Sequence, residues 1–160
     1  MRVGTGYDIH PLVAGRGLVL GGVKIDHPTG LDGHSDADVL THAVIDALLG
    51  AAGLGDIGVV FPATDERYKD ASSVEMLEVA VNRLRDVGLR VVNVDCTVIA
   101  QEPRLLPHID AMKENLSKRL GMAQVNVKGK SPEGIGALGG KAGIAAQAVA
   151  LIEEVEDSTS

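Results

Sequence analysis

Asp8 and His10 stand two residues apart in a stretch that alternates like a strand, and His42 lies farther on in an apolar segment. On a strand, residues i and i+2 leave the same face, so Asp8 and His10 can reach one ion. His42 sits within residues 36–50, which are mostly Ala, Val, Leu and Ile and predict a largely buried helix. Asp38, His42 and Asp46 recur every four residues on one face of it. Buried titratable groups are costly unless paired or bound to a metal. Two imidazoles and one carboxylate suit Zn²⁺ with a fourth position open to a substrate oxygen. Spacing alone leaves open a core histidine bonded to a backbone carbonyl. If His42 ligates, Asp46 or Asp38 is the outer partner expected to hold its ring tautomer.

Three further groups could meet a ligand. His34-Ser35-Asp36 opens the helix, with Ser35 or Asp36 as its cap, and free N–H groups there suit a phosphate. Ordinary capping explains the same residues. Gly55-Asp56-Ile57-Gly58 and Phe61-Pro62-Ala63-Thr64-Asp65 lie in a long loop that can approach a ligand or merely turn. Lys128-Gly129-Lys130-Ser131-Pro132-Glu133-Gly134 could grip a phosphate, with Glu133 holding Mg²⁺ on it. Cys96, the one cysteine, excludes an internal disulfide and reads as core rather than nucleophile.

The elements that must position these residues follow from pattern. Residues 2–8 form a first strand and Pro11 ends its regular pairing. Residues 18–20 and 23–25 are strand pieces joined by Gly21-Gly22, a hairpin or bulge. Ser72-x-x-Glu75 is a capping box for a helix over about 73–87. Residues 90–100 alternate as a strand, with Val92, Val94, Cys96, Val98 and Ala100 on one face. Pro107 suits the first turn of a helix to about residue 120. Residues 125–128 read as a short strand and 142–155 as a last apolar helix. The order β-β-β-α-α-β-α-β-α predicts an α+β or mixed α/β fold, one sheet with helices on one face. Its bare face then needs cover, most simply from other subunits.

With 160 residues, a single domain over 1–156 and a frayed tail at 157–160 are expected. Three aromatics and 20 glycines beside a 45% hydrophobic fraction describe a core of small units that permits close backbone approach. A formal charge of −7 disfavours nucleic-acid binding. The N-terminus lacks a signal-peptide pattern and no run is apolar enough to span a membrane, so a cytoplasmic protein is expected.

Taken together, the blocks Gly6-Tyr7-Asp8-Ile9-His10, Gly21-Gly22-Val23, Gly33-His34-Ser35-Asp36-Ala37-Asp38, His42, Asp46-Ala47-Leu48-Leu49-Gly50, Leu54-Gly55-Asp56-Ile57-Gly58, Phe61-Pro62, Asn93-Val94-Asp95 and Pro107-His108-Ile109 resemble the 2-C-methyl-D-erythritol 2,4-cyclodiphosphate synthase family over nearly the whole chain. The resemblance implies a mixed four- to five-stranded sheet in a ferredoxin-like or chorismate-mutase-like arrangement. It also implies a homotrimer whose sheets face the axis and whose three active sites lie between subunits. The implied substrate is 4-diphosphocytidyl-2-C-methyl-D-erythritol 2-phosphate, cyclised with release of CMP.

Carried over residue by residue, Asp8, His10 and His42 are implied Zn²⁺ ligands (or ligands of another divalent cation). His34 and Ser35 are implied to orient phosphate. Asp56, Ile57 and Gly58, with Phe61, Pro62, Ala63, Thr64 and Asp65, would hold the erythritol phosphate. Ala100, Gln101, Glu102 and Pro103, then Arg104, Leu105 and Leu106, would form the cytidine pocket. Glu133 would bind Mg²⁺ or Mn²⁺ on the diphosphate, beside Lys130, Ser131 and Pro132. The family commonly has Thr-Thr where Lys130-Ser131 stands, and Ser131 keeps the hydroxyl implied to stabilise the transition state. Many members have Phe and Arg at the positions of Ala137 and Gly140, the Arg being associated with isoprenoid diphosphate in the trimer's cavity. The neighbouring cation here is Lys141. A zinc phosphoesterase using the same ligands on water, and a non-enzymatic metal- or diphosphate-binding scaffold, are the alternative readings.

Overall fold

The computed structural model describes residues 1–156; the expected tail at 157–160 lies outside the described residues. In chain order the elements are β1 (Arg2–Ala14), β2 (Leu18–Leu20), β3 (Val23–Ile25), β4 (Thr29–Leu31), α1 (Val39–Ala52) and α2 (Ile57–Val60). They continue as α3 (Ser73–Asp86), β5 (Leu89–Ile99), α4 (Ile109–Arg119), β6 (Gln124–Lys130), α5 (Gly136–Gly139) and β7 (Gly143–Glu154). A five-stranded mixed sheet runs β4-β1-β7-β5-β6, and β2 pairs with β3 in a separate hairpin. All pairs are antiparallel except β5 and β6, which α4 links as a parallel crossover. The fold is α+β, with helices packed on one face of the sheet.

That packing depends on glycine. Gly4 and Gly6 of β1 face α1, and a Cβ would fall 2.1 Å from the Ala47 carbonyl oxygen at Gly4 and 1.8 Å from that of Ala43 at Gly6. Backbone therefore lies directly on backbone. The same row of β1 continues through Asp8 and His10, so α1 is pressed against the strand that carries them. From β7, Ile144, Ala146, Ala148, Ala150 and Ile152 complete this buried layer. The opposite face exposes Val3 (66%), Tyr7 (56%), Ile9 (48%) and Val149 (41%) on the adjacent strands β1 and β7, an apolar surface without cover in one chain.

Several expectations are corrected. Residues 142–155 are not a helix: β7 occupies the middle of the sheet between β1 and β5. Its alanines have high helix propensity, but burial alternates along Ala146, Gln147, Ala148, Val149 and Ala150, and pairing on both sides overrides propensity. Pro11 does not end β1. It stands where the strand exchanges β7 for β4, and its carbonyl accepts from the Asp32 N–H. A register shift between Val91 and Asn93 moves Val91, rather than Val92, onto the buried face with Val94. Gly21 and Gly22, both at positive φ, make the β2–β3 turn a hairpin.

Candidate functional site

Neither Ser35 nor Asp36 caps α1. Asp38 does, accepting from Thr41 N (3.0 Å) and Thr41 Oγ1 (2.8 Å). Its two oxygens also accept from Gly21 N (2.9 Å) and Gly22 N (2.8 Å), which ties the β2–β3 hairpin to the helix start. Burial raises the Asp38 pKa, against the lowering pull of these donors. Asp38 thus holds architecture, not the His42 ring. Asp46, whose pKa burial also raises, accepts from Ile57 N (2.8 Å) and holds the start of α2. The expectation that either fixes the His42 tautomer is overturned.

α1 instead delivers His42, beside the Ala43 that touches Gly6, to the row of Asp8 and His10. His42 Nδ1 lies 2.9 Å from Asp8 Oδ2 and 3.3 Å from His10 Nε2, and His10 Nε2 lies 2.9 Å from the same Asp8 oxygen. His10 Nδ1 lies 2.9 Å from the Asp32 carbonyl oxygen. A carbonyl only accepts, so this nitrogen carries the hydrogen and Nε2 turns its lone pair inward. Among the described residues no backbone carbonyl holds the His42 ring; its Nε2 faces Ser73 Oγ (2.7 Å) and Ser35 Oγ (3.1 Å). One atom from each of Asp8, His10 and His42 lies within 4.8 Å of the others, the donor set for a divalent cation.

Electrostatics agrees with that chemistry. Burial pushes the Asp8 carboxyl up, but hydrogen bonds and charge from His10 and His42 together outweigh it and hold the pKa at about 2. The hydrogen bond to Asp8 raises the His10 pKa against the opposing effect of burial. A metal ion bound here would therefore compete with a proton for this pair. Cys96, by contrast, is pushed up to about 12 by burial and is inert core.

The loop before α1 is held from outside. Arg16 donates to Asp32 Oδ1 (3.3 Å), the Gly33 carbonyl (3.3 Å) and the Ser35 carbonyl (2.9 Å). A Cβ at Gly33 would stand 2.9 Å from His10 Cε1, so only glycine seats the ring there. Sequence reading missed Arg16 because nothing local distinguishes it from a surface arginine.

A cavity of about 210 Å³ opens beside the cluster, lined by His34, Ser35, Ile57, Gly58, Phe61 and Ala63. Tyr68 and Met76, absent from the sequence-based site, also line it; Tyr68 meets Phe61 edge to face at 5.0 Å. Asp56 caps α2 by accepting from Val59 N (2.9 Å) and Asp65 pairs with Arg67, and neither lines this cavity. Pro62 and Thr64 are not among the lining residues.

A second cavity, about 560 Å³, is lined by every residue from 100 to 106 together with Ile109, Gly129, Lys130 and Ser131. Gln101 Oε1 accepts from Gly134 N (2.9 Å), joining the two rims. Ser131 Oγ accepts from the exposed Glu133 N–H (3.0 Å), and neither Glu133 nor Pro132 lines the cavity. Lys141 is engaged by Glu102 at 2.8 Å. Asp8 pairs with Ala146, Ala146 with Val98 and Val98 with Gly129, so the two cavities are three strand spacings apart. That is about 14 Å within one chain.

The YgbB family model matches residues 1–153. A 2-C-methyl-D-erythritol 2,4-cyclodiphosphate synthase from Dechloromonas aromatica is 59% identical over 156 residues, covering 96% of this chain and 98% of the relative. A solved structure of the bifunctional IspDF from Campylobacter jejuni is 39% identical, with a TM-score of 0.93 over 97% of this chain; this chain spans 42% of that protein. A 2C-methyl-D-erythritol-2,4-cyclodiphosphate synthase structure in its CDP-bound form is 36% identical, with a TM-score of 0.87 over 95% of this chain and all (100%) of the other.

Proposed function

We infer the chemistry of this chain from the YgbB family, to which it belongs. It is a lyase that forms 2-C-methyl-D-erythritol 2,4-cyclodiphosphate in non-mevalonate isoprenoid precursor synthesis. The observation that carries this reading is the convergence of Asp8, His10 and His42 beside a cavity lined by His34 and Ser35. The substrate is 4-diphosphocytidyl-2-C-methyl-D-erythritol 2-phosphate. An oxygen of its 2-phosphate bonds to the β-phosphorus while the bond from that phosphorus to the bridging oxygen breaks, and that oxygen leaves with CMP.

The nucleophile is tethered to its target, so no covalent enzyme intermediate is needed. Holding the folded substrate in reacting geometry can contribute about 7–11 kcal/mol. A divalent cation held by Asp8, His10 and His42, Zn²⁺ in this reading, supplies charge that offsets the repulsion between the two phosphate groups. His34 and the Ser35 N–H orient the phosphate oxygens. Ile57, Gly58, Phe61 and Ala63 enclose the methylerythritol and exclude water.

The second cavity is the cytidine pocket, where residues 100 to 106 enclose the nucleotide. Lys130 and the Ser131 hydroxyl stand at its rim to meet the diphosphate, with Glu133 beside them for Mg²⁺ or Mn²⁺. One chain separates this pocket from the metal cluster by about 14 Å. That separation supports a site completed by a neighbouring copy in a homotrimer, and the apolar face bearing Val3, Tyr7, Ile9 and Val149 supports the same association. No helix among the described residues is long and apolar enough to cross a membrane, which fits action on a small hydrophilic substrate in the cytoplasm.

Phosphorus NMR of the purified protein with substrate and Mg²⁺ tests the reading. Cyclic diphosphate and CMP in equal amounts are expected. Inorganic phosphate without cyclic product would overturn it in favour of a phosphoesterase, and recovery of unchanged substrate would favour a binding scaffold.

A further inference from the structure

Ser73 is the first residue of α3, is wholly buried (0% exposed), and has no place in the substrate chemistry above. Its hydroxyl touches two groups. One is the Asp36 carboxylate, in a short contact with Oδ1. The other is His42 Nε2, at 2.7 Å. A hydroxyl has a single hydrogen, and a carboxylate only accepts. The contact with Asp36 is therefore a hydrogen bond only if Ser73 donates to it. The Ser73 oxygen then presents a lone pair to His42 Nε2, which must carry the ring hydrogen. The other ring nitrogen, Nδ1, is left with its lone pair toward Asp8 and His10.

We propose that Ser73, with its hydroxyl oriented by Asp36, is the positioning residue that presents His42 Nδ1 to the metal. The proposal rests on the Asp8–His10–His42 cluster being a cation site. Asp36 is itself held: its Oδ2 accepts from Ser73 N (3.0 Å), its Oδ1 from Asp38 N (3.2 Å), and its own N–H donates to the Ala71 carbonyl (3.2 Å). Ser35 Oγ is a weaker partner for His42, farther away at 3.1 Å and already accepting from Ala37 N. The device parallels His10, whose Nδ1–H is fixed by the Asp32 carbonyl. Both imidazoles are thus oriented from behind, one by backbone and one by a carboxylate–hydroxyl pair. Losing such an outer partner typically costs 10–100-fold in metal affinity.

The test measures Zn²⁺ affinity against a chromophoric chelator, and follows the His42 Nε2–H proton by NMR in the zinc-loaded, ¹⁵N-labelled protein. In the wild type this proton is expected downfield and slow to exchange with water. Ser73→Ala is expected to weaken Zn²⁺ about 10–100-fold and to shift and broaden the Nε2–H signal. Ser73→Thr, which keeps the hydroxyl, restores both. Asp36→Ala frees the Ser73 hydrogen to point at Nε2 and is expected to weaken Zn²⁺ as well. Zn²⁺ affinity within about twofold of wild type in Ser73→Ala, with the proton signal unmoved, would overturn the proposal. So would a wild-type Nε2–H that exchanges as fast as an exposed imidazole, whatever the variants do. If the wild type itself fails to bind Zn²⁺, the cation reading of the cluster falls as well, which separates the two failures.

Discussion

Gly6 and Ala43 meet backbone to backbone, and that contact sets the distance between β1 and α1 where Asp8, His10 and His42 converge. A methyl group at residue 6 would overlap the Ala43 carbonyl oxygen at 1.8 Å. His42 immediately precedes Ala43 in the helix, and Asp8 is the next residue after Gly6 on the same strand face. Gly6→Ala is therefore expected to push the helix away and open the 2.9 Å spacing between His42 Nδ1 and Asp8 Oδ2. Overpacking of this kind costs about 1–3 kcal/mol. Urea unfolding should show that loss, and Zn²⁺ binding should weaken along with it. A variant of unchanged stability and affinity would mean that the sheet absorbs the methyl elsewhere.

His10 and Asp8 give the metal-free protein a pH signature. Asp8 raises the His10 pKa above its ordinary 6.5, so this contribution to stability is full below that value and is lost as pH rises through the folded-state pKa. Asp8, lowered from 3.8 to about 2, contributes above 3.8 and loses its contribution as pH falls through about 2. Asp8 takes part in both limits, with His42 adding to the lower one, so the cluster's stabilisation is greatest between them. Added Zn²⁺ must displace the proton, and its stabilising effect runs the other way. Melting curves at pH 5.5 and pH 8 (about one unit below and 1.5 above the ordinary His value), with Zn²⁺ and with a chelator, should show a larger zinc-induced rise in Tm at the higher pH. His10→Asn should remove the trend.

Asp38 supports four donors from full burial, and its loss should be read in stability. Asp38→Ala leaves the N–H groups of Gly21, Gly22 and Thr41 without that acceptor. Unsatisfied buried donors cost about 1–3 kcal/mol each, relaxation and water reducing the sum. A loss of about 3–5 kcal/mol is expected in denaturant unfolding, the range seen when one partner of a buried charged network is removed. Asp38→Asn keeps one acceptor oxygen and should cost less. Equal losses for both would show that charge, not acceptor count, matters at this position.

The cluster that could hold a metal was legible because its signals are local: Asp8 and His10 share a strand face, and His42 interrupts an apolar helix. The partners of those residues were not. Ser72-x-x-Glu75 reads as a capping box, yet the Ser72 side chain makes no cap bond and Asp36 from a distant loop accepts from Ser73 N instead. Asp38 and Asp46 share a helix face with His42, but helix periodicity says nothing about which loops dock on that face. β7 was hidden for a related reason. Its alanines are small because α1 packs across them, and that tertiary demand imitates helix propensity in the sequence. Lys130 and Ser131 stood out as a possible phosphate grip, but Lys and Ser at a strand end are equally ordinary turn residues, so the residues by themselves did not decide between the two.

Separation of the Asp8–His10–His42 cluster from the Lys130–Ser131 rim gives a prediction about assembly. If each active site takes Asp8, His10 and His42 from one copy and residues 100–106 and 130–133 from a neighbour, two inactive variants can repair each other. His42→Ala removes the first half and Lys130→Ala/Ser131→Ala the second, and each alone is expected to lose at least about 100-fold in turnover. Refolded together in equal amounts, they are expected to form mixed trimers. A given site then draws its metal half from an intact copy half of the time, and its nucleotide half from an intact copy half of the time. About a quarter of the wild-type activity should return, as random assembly in a closed ring of identical interfaces requires. A site contained within one chain allows no such repair, because every chain in the mixture carries one broken half. Activity of the mixture that stays at the level of the separate variants, with mixed trimers present by native mass spectrometry, would overturn the shared site.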